Sequence, residues 1–104
     1  RVAPSNIQIH PGGRFLYAAN RGDDSVAIFS IDEASGRLAS VSTVKTGGRG
    51  PREMGFEPSG KFFYVCNQQS SDVTAFVVEP NTGKLTQASK VDLPQAGVIS
   101  FALV

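Results

Sequence analysis

Stacked four-stranded antiparallel β-sheets, built by internal repetition, are the architecture this sequence predicts, on three observations. First, Pro51-Arg52-Glu53-Met54-Gly55-Phe56-Glu57-Pro58-Ser59-Gly60-Lys61-Phe62-Phe63-Tyr64-Val65-Cys66-Asn67 lies without a gap over Pro4-Ser5-Asn6-Ile7-Gln8-Ile9-His10-Pro11-Gly12-Gly13-Arg14-Phe15-Leu16-Tyr17-Ala18-Ala19-Asn20. The separation of Asn20 and Asn67 sets a period of 47 residues, and the same register carries Phe29 onto Phe76, Leu38 onto Leu85 and Val44 onto Val91. Such periods mark repeat architectures. Second, each repeat holds four short apolar segments separated by turn signals. Third, residues 15–19 and 62–66 are apolar on both faces, so each sheet needs a cover on both sides.

In the first repeat the segments are residues 7–10, 15–19, 26–31 and 38–44. Pro11-Gly12-Gly13 closes the first, residues 20–24 the second and residues 32–36 the third, and the glycine-rich stretch 46–50 links to the next repeat. Phe, Tyr, Val and Ile dominate the second and third segments, as strands prefer. None is long enough for a stable helix, and Pro and Gly recur too often for one. The fourth, with Ser40, Ser42 and Thr43, suits an outer, half-solvated strand.

Four antiparallel strands joined by hairpins describe one blade of a β-propeller. The chain therefore divides into a blade repeat over residues 1–50, a second over 51–97, and the first strand of a third over 98–104. In that last strand Phe101 and Leu103 fall where Met54 and Phe56 fell. The predicted fold is all-β, a partial propeller. Closed propellers hold about four to eight blades, so this slice leaves apolar blade faces available for self-association.

Composition narrows the partners. The 104 residues carry a net charge of +1, which argues against a nucleic-acid partner. No apolar run approaches the roughly 18 residues of a membrane span. Cys66 is the single cysteine, so an internal disulfide framework is ruled out.

Hairpin geometry sorts the loops onto two ends. The Pro-Gly-Gly-type turns repeat closely, His10-Pro11-Gly12-Gly13-Arg14 against Glu57-Pro58-Ser59-Gly60-Lys61, because the bend itself needs Pro and Gly. At the other end the loops diverge, Arg21-Gly22-Asp23-Asp24 against Gln68-Gln69-Ser70-Ser71. Sites sit on loops that a rigid scaffold holds, so the diverging end, near the propeller axis, is where a site is expected.

Arg52 and Glu53 enter the innermost strand there. Arg52 is either a clamp for a phosphate or carboxylate, or the partner of Glu53 in an ion pair that orders the link. Glu53, in the first case, is the candidate catalytic base that activates water. Arg21 is not repeated, so repeat geometry does not demand it, and it is a candidate anion ligand. Asn67, with Gln68 beside it, completes the candidate substrate-binding set; because Asn20 and Asn67 recur, a turn-forming role for the pair is the stronger reading. Asp23 and Asp24 offer too few oxygens for calcium and read as a solvated turn. His10 lies at the opposite end, and Cys66 reads as a small core residue. No metal site and no cofactor are expected.

Residues 15–29, and Gly50-Pro51-Arg52 followed by Glu57-Pro58-Ser59-Gly60-Lys61-Phe62, Asn67-Gln68 and Asn81-Thr82-Gly83-Lys84-Leu85, resemble the lactonase family of seven-bladed β-propellers. This family includes 6-phosphogluconolactonases and carboxymuconate cyclases. The resemblance covers essentially the whole chain but only the C-terminal third or so of a full member. It implies metal-independent hydrolysis of a sugar lactone such as 6-phosphogluconolactone, with a small-molecule lactone as partner and a cytoplasmic setting. Arg21 and Arg52 stand where the family commonly places pocket arginines. The chain departs from the family at Asn6, Asp23 and Glu53. Tyr17-Ala18-Ala19-Asn20 with Ser25-Val26-Ala27 also resembles repeats of non-enzymatic propellers that serve as binding platforms. Arginines and a carboxylate converging on one axial pocket would favour the enzyme.

Overall fold

A computed structural model of the chain describes residues 7–20 and 22–92. Arg21 and the strand expected over 98–104 lie outside the described residues. Eight strands form two separate sheets and, among the described residues, no helix occurs. β1 (Ile7–Ile9), β2 (Phe15–Asn20), β3 (Ser25–Ile31) and β4 (Leu38–Lys45) make the first sheet in that order, all antiparallel. β5 (Pro51–Phe56), β6 (Phe62–Asn67), β7 (Asp72–Val78) and β8 (Leu85–Asp92) make the second in the same way. The expected segments become strands with ends shifted by one residue.

The two sheets are copies down to their irregularities. A bulge interrupts β3–β4 pairing between Ile28 and Phe29, and another interrupts β7–β8 pairing one period later, between Ala75 and Phe76. Bulges add twist, which lets one blade lie across the next. The outer strands β4 and β8 are mostly exposed and polar, with Lys45 and Lys90 near their ends, a device that discourages pairing with other chains.

The core is the layer between the sheets. From the first come Phe15, Tyr17, Ala19, Val26 and Ile28; from the second come Met54, Phe63, Val65, Phe76, Val78 and Leu85. Strand alternation explains the choice: cross-strand partners Tyr17 and Ile28 share a face, as do Phe63 and Phe76. The Tyr17 and Phe63 rings meet at 5.0 Å, and Phe56 closes edge-on against Tyr17 at the same separation. Burying each such ring stabilises by about 1.5–3 kcal/mol.

Polar contacts fix the register between sheets. The Tyr17 hydroxyl donates to the Gly83 carbonyl at 2.6 Å. His10 is fastened on both sides: its Nδ1 accepts from the Gly12 amide at 2.9 Å, leaving Nε2 to donate to the Gly60 carbonyl at 3.0 Å. Glu57, the equivalent of His10, likewise accepts from the turn that follows it, through the Lys61 amide at 3.2 Å. Both positions before the turn proline thus supply an acceptor, and His10 adds a donor that reaches the second sheet.

Candidate functional site at the loop end of the second blade

β5 opens with Pro51 paired to Asn67, and the next pair is Glu53 with Cys66, so Arg52 is the extra residue of a bulge. A bulge turns a side chain away from the ladder, a device common beside active sites. Arg52 is exposed, and its Nη1 donates to Gln68 Oε1 at 3.3 Å. Gln68 is itself held, because its amide bonds the Gly50 carbonyl at 2.9 Å and the Gln69 amide bonds Arg49 at 3.0 Å. The 68–69 segment therefore rides on the link and carries the guanidinium with it.

Glu53 is half-buried, and its Oε1 is buried with no hydrogen-bond partner among the described residues. The ion pairs among those residues are Lys45–Asp23 at 3.1 Å and Lys90–Asp72 at 3.7 Å. Among the described residues no ion pair joins Arg52 to Glu53. A guanidinium held by a neutral amide keeps its charge available to an anion.

Asn67 differs from its repeat counterpart. Asn20 is exposed, and its Oδ1 accepts from the Asp23 amide at 3.3 Å, the expected turn-forming role. Asn67 is fully buried, and its Nδ2 donates to Asp72 Oδ1 at 2.9 Å and to Thr74 Oγ1 at 3.1 Å. Its Oδ1 has no partner among the described residues. The link lies directly on this cluster: a Cβ on Gly48 would sit 2.5 Å from Asp72 Oδ1 and 2.6 Å from Asn67 Nδ2, so only glycine allows the approach. Asp72, Thr74 and Gly48 escaped the sequence reading. A signal was present, since Asp72 and Thr74 replace Ser25 and Ala27 at equivalent positions.

Towards the rim, Asp23, Asp24, Lys45, Arg49, Asp72 and Lys90 line an open cleft of about 470 Å³. Two of its charged groups hold the link. Asp24 Oδ1 accepts from the Gly50 amide at 2.9 Å, and Lys90 donates to the Gly47 carbonyl at 3.1 Å. The hydrogen bond from Lys45 keeps the Asp23 carboxyl below its ordinary pKa. Among the described residues no group of three or more His, Cys, Asp or Glu could hold a metal. Cys66 is buried, and burial, followed by the charges of Glu53 and Asp72, pushes its thiol pKa up, opposite to what a nucleophile needs. No helix among the described residues is long and apolar enough to cross a membrane.

So the structure brings Arg52, Glu53 and Gln68 to one end of one sheet, with Asn67 beneath them, turned towards the first blade. Comparisons with known proteins bear on the family. A 6-phosphogluconolactonase of Bacillus subtilis is 48% identical over 52 residues, which is 50% of this chain and 15% of that protein. One from Formosa agariphila is 46% identical over 50 residues, covering 46% and 14%. Among solved structures, the periplasmic gluconolactonase PpgL of Pseudomonas aeruginosa superposes with a TM-score of 0.82 at 33% identity, over 86% of this chain and 25% of its own. A Lactobacillus plantarum protein gives 0.81 at 31% identity, over 86% and 26%. The chain thus spans about a quarter or less of each of these proteins. Residues 1–101 match the family model described as lactonase, 7-bladed beta-propeller. The two sheets are blades of a partial propeller, and the chain belongs to the lactonase family.

Proposed function

We propose that this chain contributes part of an anion-binding pocket to a complete propeller that hydrolyses a sugar lactone. The observation that carries the reading is Arg52, turned out of the strand ladder by a bulge, steered by an uncharged Gln68 and not paired with its neighbour Glu53. Arg52 holds the phosphate or carboxylate of the substrate, and Arg21 is proposed to share that work. Gln68 orients the guanidinium, and Asn67 fixes the strand end on which both depend. Glu53 serves as general base. It takes a proton from water as the water oxygen attacks the lactone carbonyl, and when the ring C–O bond breaks it returns that proton to the ring oxygen, which leaves as the hydroxyl of the acid product. A charged arginine and a carboxylate whose oxygen has no partner among the described residues, at the same strand end, support an enzyme over a binding platform.

6-Phosphogluconolactone is the proposed substrate, after the names of the relatives, and the cytoplasm the proposed compartment; fractionation of the parent protein checks the latter. The activity is tested with the complete propeller by following acid release at constant pH, with phosphorylated and unphosphorylated gluconolactone. Hydrolysis above the spontaneous rate, lost by about a hundredfold in Glu53→Gln, is expected. Full activity in Glu53→Gln would remove Glu53 from the role of base. No hydrolysis of either lactone would defeat the reading as a whole.

A further inference from the structure

We infer that Asp24, on the turn between β2 and β3 of the first blade, is a positioning residue for Arg52 in the second. The inference rests on the reading of Arg52 as the anion ligand. The sequence places Asp24 in a solvated turn, but the residue is half-buried and grips the link between the blades at both ends. Its carbonyl accepts from the Thr46 amide at 2.9 Å, where the link begins. Its Oδ1 accepts from the Gly50 amide at 2.9 Å, where the link ends. From Gly50 the contacts run on to the guanidinium. The Gly50 carbonyl accepts from the Gln68 amide at 2.9 Å, and Gln68 Oε1 accepts from Arg52 Nη1 at 3.3 Å. A carboxylate in one blade thus stands three hydrogen bonds from the guanidinium in the next.

The end of the link and the segment that carries Gln68 form one unit. Gly50 has a φ of +67°, and a Cβ there would lie 2.8 Å from Gln69 Cγ, so the two segments touch backbone to side chain. The Gln69 amide bonds the Arg49 carbonyl at 3.0 Å, and the Arg49 amide bonds Ser70 Oγ at 2.8 Å. Asp24 fastens that unit to the first blade. The turn itself does not demand a carboxylate. Asp24 has a φ of 52° and its repeat counterpart Ser71 a φ of 56°, so this left-handed position accepts serine as well. What aspartate adds at position 24 is an acceptor long enough to reach the Gly50 amide. Without it the amide loses its partner, the unit shifts, and Gln68 carries the guanidinium away from the place where the anion is held. Misplacement of this kind weakens binding of the anionic group and spares the chemical step.

The test is a double-mutant cycle in the complete propeller, read as KM and kcat for phosphorylated gluconolactone. Asp24→Ser leaves the turn a residue that its counterpart already uses and withdraws the carboxylate. It should raise KM about threefold or more, a smaller step than Arg52→Ala, with kcat near its original value. In the Arg52→Ala background the same substitution should add nothing to KM, because Asp24 acts through that side chain. Asp24→Asn keeps the Oδ1 acceptor and tolerates the left-handed turn, so it should not raise KM. An unaltered KM in Asp24→Ser, with KM raised in Arg52→Ala, overturns the inference and leaves the role of Arg52 intact. Effects that multiply in the double variant also overturn it, as does Asp24→Asn as impaired as Asp24→Ser. An unaltered KM in Arg52→Ala defeats the role of Arg52, and the inference falls with it. Should Asp24→Ser melt too low to assay, Asp24→Gly, which enters the left-handed turn without strain, takes its place in the cycle.

Discussion

Phe15 and Phe62 occupy the same position of the repeat and the same place in a strand, yet Phe15 is 5% exposed and Phe62 40%. Leu85 and Leu38 differ in the same way, at 8% and 51%. The residues are alike; what differs is whether a blade lies across them. At the loop end the contrast reverses: the position is repeated and the residue is not, as with Gln68 against Arg21, or Asp72 against Ser25. Repeated residues carry the stacking of blades, and on the proposed function unrepeated residues at the loop end carry the chemistry. Equivalent substitutions in the two blades separate the two kinds.

The largest contrast is expected from the phenylalanines, studied at concentrations where the chain is monomeric. Phe15→Ala should lower unfolding free energy by about 3–5 kcal/mol, the usual cost of emptying a buried aromatic site. Phe62→Ala should cost about 1–2 kcal/mol, since much of that ring is already wet. Urea denaturation of the pair measures the difference, and equal costs would mean that the second blade's face is covered.

The glycines come next. Gly83→Ala places a Cβ 2.6 Å from the Phe15 ring at a φ of +77°. Left-handed strain of about 1–2 kcal/mol adds to an overpacking cost of about 1–3 kcal/mol. Gly36→Ala carries the strain alone. Thermal melts of the two variants should differ by the packing share, and identical melts would deny the close approach at Gly83.

Tyr17→Phe removes the bond to Gly83 and leaves a buried carbonyl unsatisfied, at about 1–3 kcal/mol, whereas Tyr64→Phe should change little. The same tyrosine gives the fold a pH limit. Burial pushes the Tyr17 phenol up to about 12 from its ordinary value of 10.0, so the folded chain keeps a proton that the unfolded chain releases. Its contribution is complete below about pH 10 and is lost as pH rises towards 12, with a slope of about 1.4 kcal/mol per pH unit between them. Tyr17→Phe should flatten that slope in denaturation curves taken from pH 9 to about 11.5; an unchanged slope would assign it to other groups.

The smallest effect concerns Cys66. With its thiol held protonated by burial and neighbouring negative charge, labelling by a disulfide reagent at pH 8 should proceed at least about a hundredfold slower than in urea. Labelling at the unfolded rate would mean that the strand end opens readily.

Fold was legible because it is written twice. A period of 47 residues aligns turn with turn and strand with strand, so the pairing of Tyr17 with Ile28 and of Phe63 with Phe76 follows from alternation alone. Which face of each strand meets its neighbour was not legible, because both are apolar. The site was legible only in outline. Arg52 and Gln68 could be singled out as unrepeated or strand-end residues, but the bulge that turns Arg52 outward depends on how Pro51 enters the sheet. Asn67 looked like a second Asn20, and only the covering link and the Asp72–Thr74 pair show that it is bonded inward. Those partners lie five and seven residues along the chain, across a hairpin, where no local pattern announces them.

The division of labour between repeated and unrepeated residues is tested most directly by Arg52→Ala in the complete propeller, with melting temperature and lactone kinetics measured on one preparation. We predict an unchanged melting temperature, as for other exposed substitutions. KM for the phosphorylated lactone should rise about tenfold or more, and KM for the unphosphorylated lactone should rise far less. A lowered melting temperature with both KM values unchanged would contradict the account and make Arg52 one more element of the scaffold.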